Sequence, residues 1–143
     1  MYVCGRWRSW ELETLSINVL ELAAMQFGTF TFMDHARSRG IPITHVMEFT
    51  DNTSAEHSAE RGRPSSERMQ ALVTWRYARL MARGVFSSVE RVASVDNDVA
   101  DGLSRGGRKF ADALRIMRSS SMAVRCLEVT HEVRSLEHLR PLS

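Results

Sequence analysis

The stretch that decides the fold is ITHVMEFTDN, residues 43–52, where an apolar segment stops abruptly at an acid and an amide. The segment predicts a strand over residues 43–50, and Asp51 begins the turn that follows it. A helix-like run continues to about residue 62, and Asn52 or Thr53 can cap it. An acid at such a strand end is typical of ligand-binding groups in α/β proteins. A turn-forming or capping acid is the alternative.

Helices and strands alternate along the rest of the chain. The predicted elements, in order, are a helix over 16–40, the strand over 43–50, a short helix ending near 62, a helix over 64–84, a strand over 87–95, a short helix over 96–107 and a helix over 108–118. Within the first helix, residues 28–32 (GTFTF) favour strand geometry. The alternation indicates an α/β layered domain, followed beyond residue 122 by a strand and a loose helical end.

The composition is that of a single soluble domain. The chain has 143 residues, of which 43% are hydrophobic and 25% charged, and its net charge is +2. All 19 basic residues except Lys109 are Arg. Arg favours bidentate contact with phosphate, although a GC-rich genome would give the same bias. Two cysteines without metal-ligand spacing indicate a reducing compartment.

Residues 14–33 are long enough to cross a bilayer, but they include Glu21 and several polar side chains. A charged residue at mid-span costs about 2.5 kcal/mol or more, so a membrane span is rejected. The first ten residues lack the apolar core of a signal peptide. We therefore expect a cytoplasmic or nuclear protein that is not secreted and has no membrane partner.

Three acids stand among apolar neighbours. Glu21 shares a predicted helical face with Leu20 and Ala24, so its carboxylate needs a cation, an Arg or solvent. A structural ion pair is the alternative to a functional role. Asp51 follows a strand, and Asp101 lies in NDVADGLS among small and apolar side chains. Taken together, these three acids indicate a site more strongly than any one of them alone.

The segments that carry the acids resemble a known family. They are INVLELAAM (17–25), FTDNTSA (49–55) and RVASVDNDVADGLSR (91–105). In order and spacing they resemble three successive blocks of the ribonuclease H domain of retroelement reverse transcriptases, above all the gypsy-like and DIRS-like group. The resemblance covers about residues 3–106, and the third block is the most specific.

The resemblance implies a ribonuclease H-like mixed sheet flanked by helices and lacking the first strand. It divides the chain into a partial domain at 1–106 and a C-terminal extension of helix and loose tail at 107–143. It further implies that Glu21, Asp51 and Asp101 are three of four carboxylates that hold two Mg²⁺ or Mn²⁺ ions. Such a set hydrolyses the RNA strand of an RNA/DNA hybrid. The supporting residues of the third block are Asn97, Ser104 and Arg105.

The pattern departs from the family at its start. The family's first catalytic Asp lies upstream of a hairpin that ends like GRW at 5–7, and no acid precedes Glu11 here. We expect feeble or absent nuclease activity in isolation, so whether the chain is an enzyme stays open. The missing part is expected from the remainder of a reverse transcriptase polyprotein, unless the element is degenerate or the gene truncated. His57 and His131 are expected to face solvent or cap helices.

A basic stripe on the helix over 64–84 is the predicted nucleic-acid surface. Arg76, Arg79 and Arg83 form the stripe. The other predicted contacts are Arg61 and Arg63, which flank the loop before this helix, and Asn52 in the Asp51 turn. Such a stripe can follow a phosphate backbone, and a solvated helix face is the alternative. Two competing functions remain. One is a non-catalytic nucleic-acid-binding or polymerase-assembly module, and the other is an α/β protein that binds a partner through this helix.

Overall fold

The computed structural model describes residues 1–3, 5–61, 66–93, 97–119, 124–129 and the single positions 133, 136 and 139, without the side chains of 54, 57, 60 and 61. Its elements are β1 (Tyr2–Val3), α1 (Ser9–Thr14), α2 (Ile17–Ser38), β2 (His45–Thr50), α3 (Thr53–Arg61), α4 (Glu67–Arg83), β3 (Phe86–Arg91), α5 (Asp98–Arg105), α6 (Gly107–Ser119) and β4 (Cys126–Leu127). Helices alternate with strands, so the predicted α/β class is confirmed.

The described strands form two separate parallel pairs. β2 lies beside β3, with His45 opposite Phe86 and Thr50 opposite Arg91, and β1 pairs with β4 over two residues each. Parallel neighbours need a crossover connection, which α3 and α4 provide between β2 and β3. The carboxyl ends of β2 and β3 therefore leave the sheet at one edge, where the Val92 amide donates to the Thr50 carbonyl at 2.9 Å.

α2 is the central helix of the core. Its buried side chains, with those of α4, include Leu22, Phe30, Met69 and Leu72. The GTFTF segment, which favours strand geometry, is helical throughout. Phe27, Phe30 and Thr31 are all buried at helical spacing, so packing of one helical face overrides local preference.

The ends of the long helices follow the sequence signals. Ser16 Oγ accepts from the Val19 amide before α2, and Ser66 Oγ accepts from the Met69 amide before α4. Gly84 ends α4 at φ 62°, a left-handed conformation that glycine adopts without steric cost. Residue 64, the proline expected to open this helix, lies outside the described residues.

A charged pair lies inside this apolar core. Arg76 on α4 is completely buried and Glu48 on β2 is 7% exposed. Arg76 Nη1 donates to Glu48 Oε1 at 3.0 Å, and Arg76 Nη2 donates to Glu48 Oε2. Ser87 Oγ donates to Glu48 Oε2 at 2.7 Å, and Thr29 Oγ1 donates to Glu48 Oε1. The carboxylate thus connects α2, β2, α4 and β3.

Opposing effects set the protonation of this carboxylate. Burial raises the pKa of Glu48, but hydrogen bonds and the charge of Arg76, together with hydrogen bonds from Thr29 and Ser87, outweigh it. The net result is a pKa below the ordinary value of 4.5. Glu48 is therefore ionised in the folded protein at neutral pH.

We predict that Glu48→Gln lowers the free energy of unfolding by about 3–5 kcal/mol, because it leaves the buried Arg76 guanidinium without a counter-charge. Arg76→Met should cost a similar amount. The double variant Glu48→Leu/Arg76→Met is expected to recover most of the loss, because no uncompensated charge remains. Urea unfolding checks this, and a double variant as unstable as the sum of the singles would contradict it.

A pH dependence follows from the same pair. Since the folded pKa of Glu48 is lowered, the pair's contribution to stability is fully present above the ordinary value of 4.5. It is lost as pH falls from there through the folded pKa, because the unfolded chain takes up the proton first. Thermal unfolding between pH 7 and pH 3 should show this loss in the wild type, and a smaller one in Glu48→Leu/Arg76→Met.

Candidate functional site at the strand ends

In the turn after β2, the residue that caps α3 can be distinguished from its neighbour. Asn52 Oδ1 accepts from the Ala55 amide at 2.7 Å, so Asn52 caps α3. The Asn52 amide donates to Thr50 Oγ1 at 3.1 Å, which fixes the turn. Asp51 is half-buried, and its carboxylate takes no part in either contact. The capping alternative for Asp51 is therefore wrong, because its neighbour fills that role.

A hydrogen bond joins this turn to the first acid. Asn52 Nδ2 donates to Asn18 Oδ1 at 3.0 Å, which attaches the turn to the first turn of α2. Asn18 and Glu21 are three residues apart on that helix, so their side chains lie on one face. The bond therefore brings Glu21 and Asp51 into one region. Across the described residues, neither carboxylate has a hydrogen bond or an ion pair, including the ion pair considered for Glu21.

Asp101 has a different environment. Arg105 Nε lies 3.0 Å and 2.9 Å from the two oxygens of Asp101, and Ser104 Oγ donates to the Asp101 carbonyl at 2.7 Å. Asn97 precedes α5 at the N-cap position, but its side chain makes no capping bond. The Asp101–Arg105 pair is exposed, so it contributes little to stability. Ser104 and Arg105 thus gather around Asp101.

Glu21, Asp51 and Asp101 form no metal-binding group among the described residues. Within the described part of the chain, no three or more His, Cys, Asp or Glu side chains are grouped so as to hold a metal ion. That Glu21, Asp51 and Asp101 meet at one small site therefore stays a prediction. Arg105 engages Asp101, and α5 packs chiefly on α6. The residues described therefore fit a two-metal centre only in part.

Arg76 does not belong to the predicted nucleic-acid surface. Its position repeats the helical spacing of the buried Met69, Val73 and Leu80, so its side chain points into the core and pairs with Glu48. The assignment of Arg76 as a nucleic-acid contact is therefore wrong in this structure. The signal for this orientation in the sequence is Glu48, an acid in the middle of an apolar strand.

Arg79 and Arg83 lie at the surface of α4 but have intramolecular contacts. Arg79 stacks over the Trp75 ring at 4.3 Å, and Arg83 lies 5.0 Å over the Phe30 ring. Arg83 Nη2 also contacts Asp34 Oδ1 at 3.2 Å. The Arg61 and His57 side chains lie outside the described residues, as do the positions of Arg63 and His131 in full.

Comparisons with protein-family models, with curated proteins and with solved structures found no match. Of the helices described here, none has both the length and the apolar character needed to cross a membrane.

We predict that Asn52→Ala and Asp51→Asn affect folding unequally. Asn52→Ala removes the cap of α3 and the bond to Asn18, and should lower the free energy of unfolding by about 1–2 kcal/mol. Asp51→Asn removes no hydrogen bond or ion pair to a described residue, and should cost less than about 1 kcal/mol, the size of a charge effect at a helix start. Chemical denaturation compares them. Equal losses would mean that Asp51 is a structural residue.

Proposed function

We propose that this chain is a ribonuclease H-like module of a retroelement reverse transcriptase polyprotein, and that it acts on an RNA/DNA hybrid. The observation that carries the proposal is Asp51. At the carboxyl end of β2 its carboxylate has no hydrogen bond or ion pair with the described residues, while Asn52 forms the cap. A half-buried acid that serves no structural contact is a candidate for ligand binding.

The topology supports this proposal. The strands β2 and β3 are parallel, and ligands of α/β sheets bind outside the carboxyl ends of such strands. The second motif block surrounds the Asp51 turn, and the third runs from the end of β3 into α5. The first block lies on α2, which the Asn18–Asn52 bond ties to the same edge. The first two blocks, and the start of the third at the end of β3, thus border one edge of the fold.

The metal is part of the proposal. Carboxylate oxygens suit Mg²⁺ and Mn²⁺, and Glu21 and Asp51 are the acids available to hold one. A bound metal would polarise the phosphodiester and lower the pKa of a bound water. Only three of the family's four acids have counterparts in this sequence, and Arg105 occupies Asp101. We expect cleavage by the isolated chain to be weak or absent.

A specific observation favours a second candidate, a non-catalytic nucleic-acid-binding or polymerase-assembly module with the same fold. The Asp101–Arg105 pair, with no metal-binding group found among the described residues, suits a protein that binds a nucleic acid without cleaving it. This candidate needs no metal. It predicts binding that depends on salt and not on divalent cations.

We predict that Mn²⁺ raises the melting temperature of the wild-type chain and that Asp51→Asn or Glu21→Gln removes the rise, because each variant deletes a ligand charge. Glu13→Gln is the control, since Glu13 is exposed on α1. Differential scanning fluorimetry with isothermal titration checks this. A rise that survives both substitutions would place the ion elsewhere and contradict the metal site.

An RNA/DNA hybrid of about 20 base pairs distinguishes the two candidates. Cleavage of the RNA strand that needs Mg²⁺ or Mn²⁺ and is lost in Asp51→Asn supports the nuclease. Binding without cleavage, unchanged by EDTA and weakened by salt, supports the second candidate. An absence of binding at 50 mM salt would contradict both.

A further inference from the structure

α6 is an amphipathic helix whose apolar side is fixed inward. Ala113 is 2% exposed, and a Cβ built on Gly102 of α5 would lie 2.9 Å from its Cβ and 2.8 Å from the Lys109 carbonyl oxygen. The Phe110 ring meets the Tyr2 ring edge-on at 6.0 Å. These contacts hold α6 against α5 and β1, so its polar side faces solvent.

The polar side of α6 is strongly basic. Its exposed basic residues, which we call the α6 basic face, are Arg108, Lys109, Arg115 and Arg118. Together with the single acid of the helix, Asp112, they give it a net charge of +3, against +2 for the whole chain. Asp112 pairs with Arg115. In the described part of the chain the other three form no ion pair.

The spacing of these residues suits a phosphate backbone. Positions 108, 115 and 118 lie on one side of a helix with 3.6 residues per turn, and they span about 15 Å of its axis. One strand of a duplex carries a charge about every 3.4 Å, so about four phosphates lie within that length. Three of the four residues are Arg, whose planar group contacts phosphate in two places.

We propose that the α6 basic face binds the phosphate backbone of a nucleic-acid duplex. The choice of an RNA/DNA hybrid as that duplex rests on the proposed function. This surface replaces α4 as the main basic interface, because Arg76 is buried and Arg79 and Arg83 are stacked on rings. The ring contacts, and Asp34 in the case of Arg83, hold these two guanidinium groups against the protein, whereas the side chains of the α6 basic face are exposed.

The helix is less suited to an anionic membrane. Membrane-surface helices present large apolar side chains beside their basic ones. Among the large apolar side chains of α6, Ile116 is exposed, at 52%, while Phe110, Leu114 and Met117 are partly buried. A regular line of phosphates also matches a row of Arg better than an irregular acidic protein surface does.

The test measures binding of the full chain to a fluorescent 20-base-pair RNA/DNA hybrid between 50 and 200 mM salt, in EDTA so that a metal site plays no part. The variant is Arg108→Gln/Arg115→Gln/Arg118→Gln. The control is Arg37→Gln/Arg39→Gln/Arg125→Gln, which removes the same charge from exposed positions elsewhere. Thermal unfolding confirms that both fold, and a triple Arg→Lys variant of the α6 positions keeps the charge.

The α6 variant should bind at least about tenfold more weakly at 50 mM salt. It should also lower the slope of log affinity against log salt by about 2 to 3, since each lost phosphate contact removes about 0.9. The control should change both values much less, and the Lys variant should retain most of the slope. This pattern would support the α6 basic face as the duplex interface.

Other results overturn the inference. Equal weakening by the variant and the control would mean that net charge alone acts. Wild-type binding that the α6 variant leaves unchanged overturns this inference and leaves the proposed function standing. If the wild type binds no hybrid at 50 mM salt in EDTA, the inference is overturned, and if it binds none with Mn²⁺ either, the proposed function fails with it. Binding to vesicles of phosphatidylserine and phosphatidylcholine, without hybrid binding, would assign the surface to membranes and also overturn the inference.

Discussion

The rest of the structure depends on the ion pair between Glu48 and Arg76. An isolated charge is very costly in an apolar core, so each of these groups requires the other and the hydroxyls of Thr29 and Ser87. These contacts come from two helices and both main strands. They therefore constrain how α2 and α4 lie against the sheet, and the carboxyl ends of the strands follow from that placement.

Local signals predicted most of the elements. Ser16, Ser66 and Gly84 are helix boundaries that short-range hydrogen bonds and backbone conformation decide, and such signals are readable in sequence. The GTFTF segment favours strand geometry locally, and its helical conformation depends on burial against partners distant in the chain. For the same reason, the inward orientation of Arg76 has no local signal in the sequence. Its helical position is compatible with either face, and only Glu48, from another element, makes the inward orientation favourable.

The sequence pointed to individual residues of the candidate site, but not to the contacts that these residues make. Sequence alone pointed to Asp51 at a strand end, but it could not choose between Asp51 and Asn52 for the cap, since either residue type suits it. It also missed Asn18, because a contact across 34 positions has no local signal. The sequence pointed to Asp101 as a candidate, but not to its ion pair with Arg105 one helical turn later.

The close approach at Gly102 has a consequence for evolution. Any side chain at this position would meet the backbone of Lys109 and the Cβ of Ala113, so α5 and α6 would have to separate. Asp101 directly precedes Gly102, and Arg108, the first residue of the α6 basic face, directly precedes Lys109. Substitution of one small residue would therefore alter an acid and a cationic surface together. Asp101 and the α6 basic face therefore keep their relative positions only while residue 102 is small.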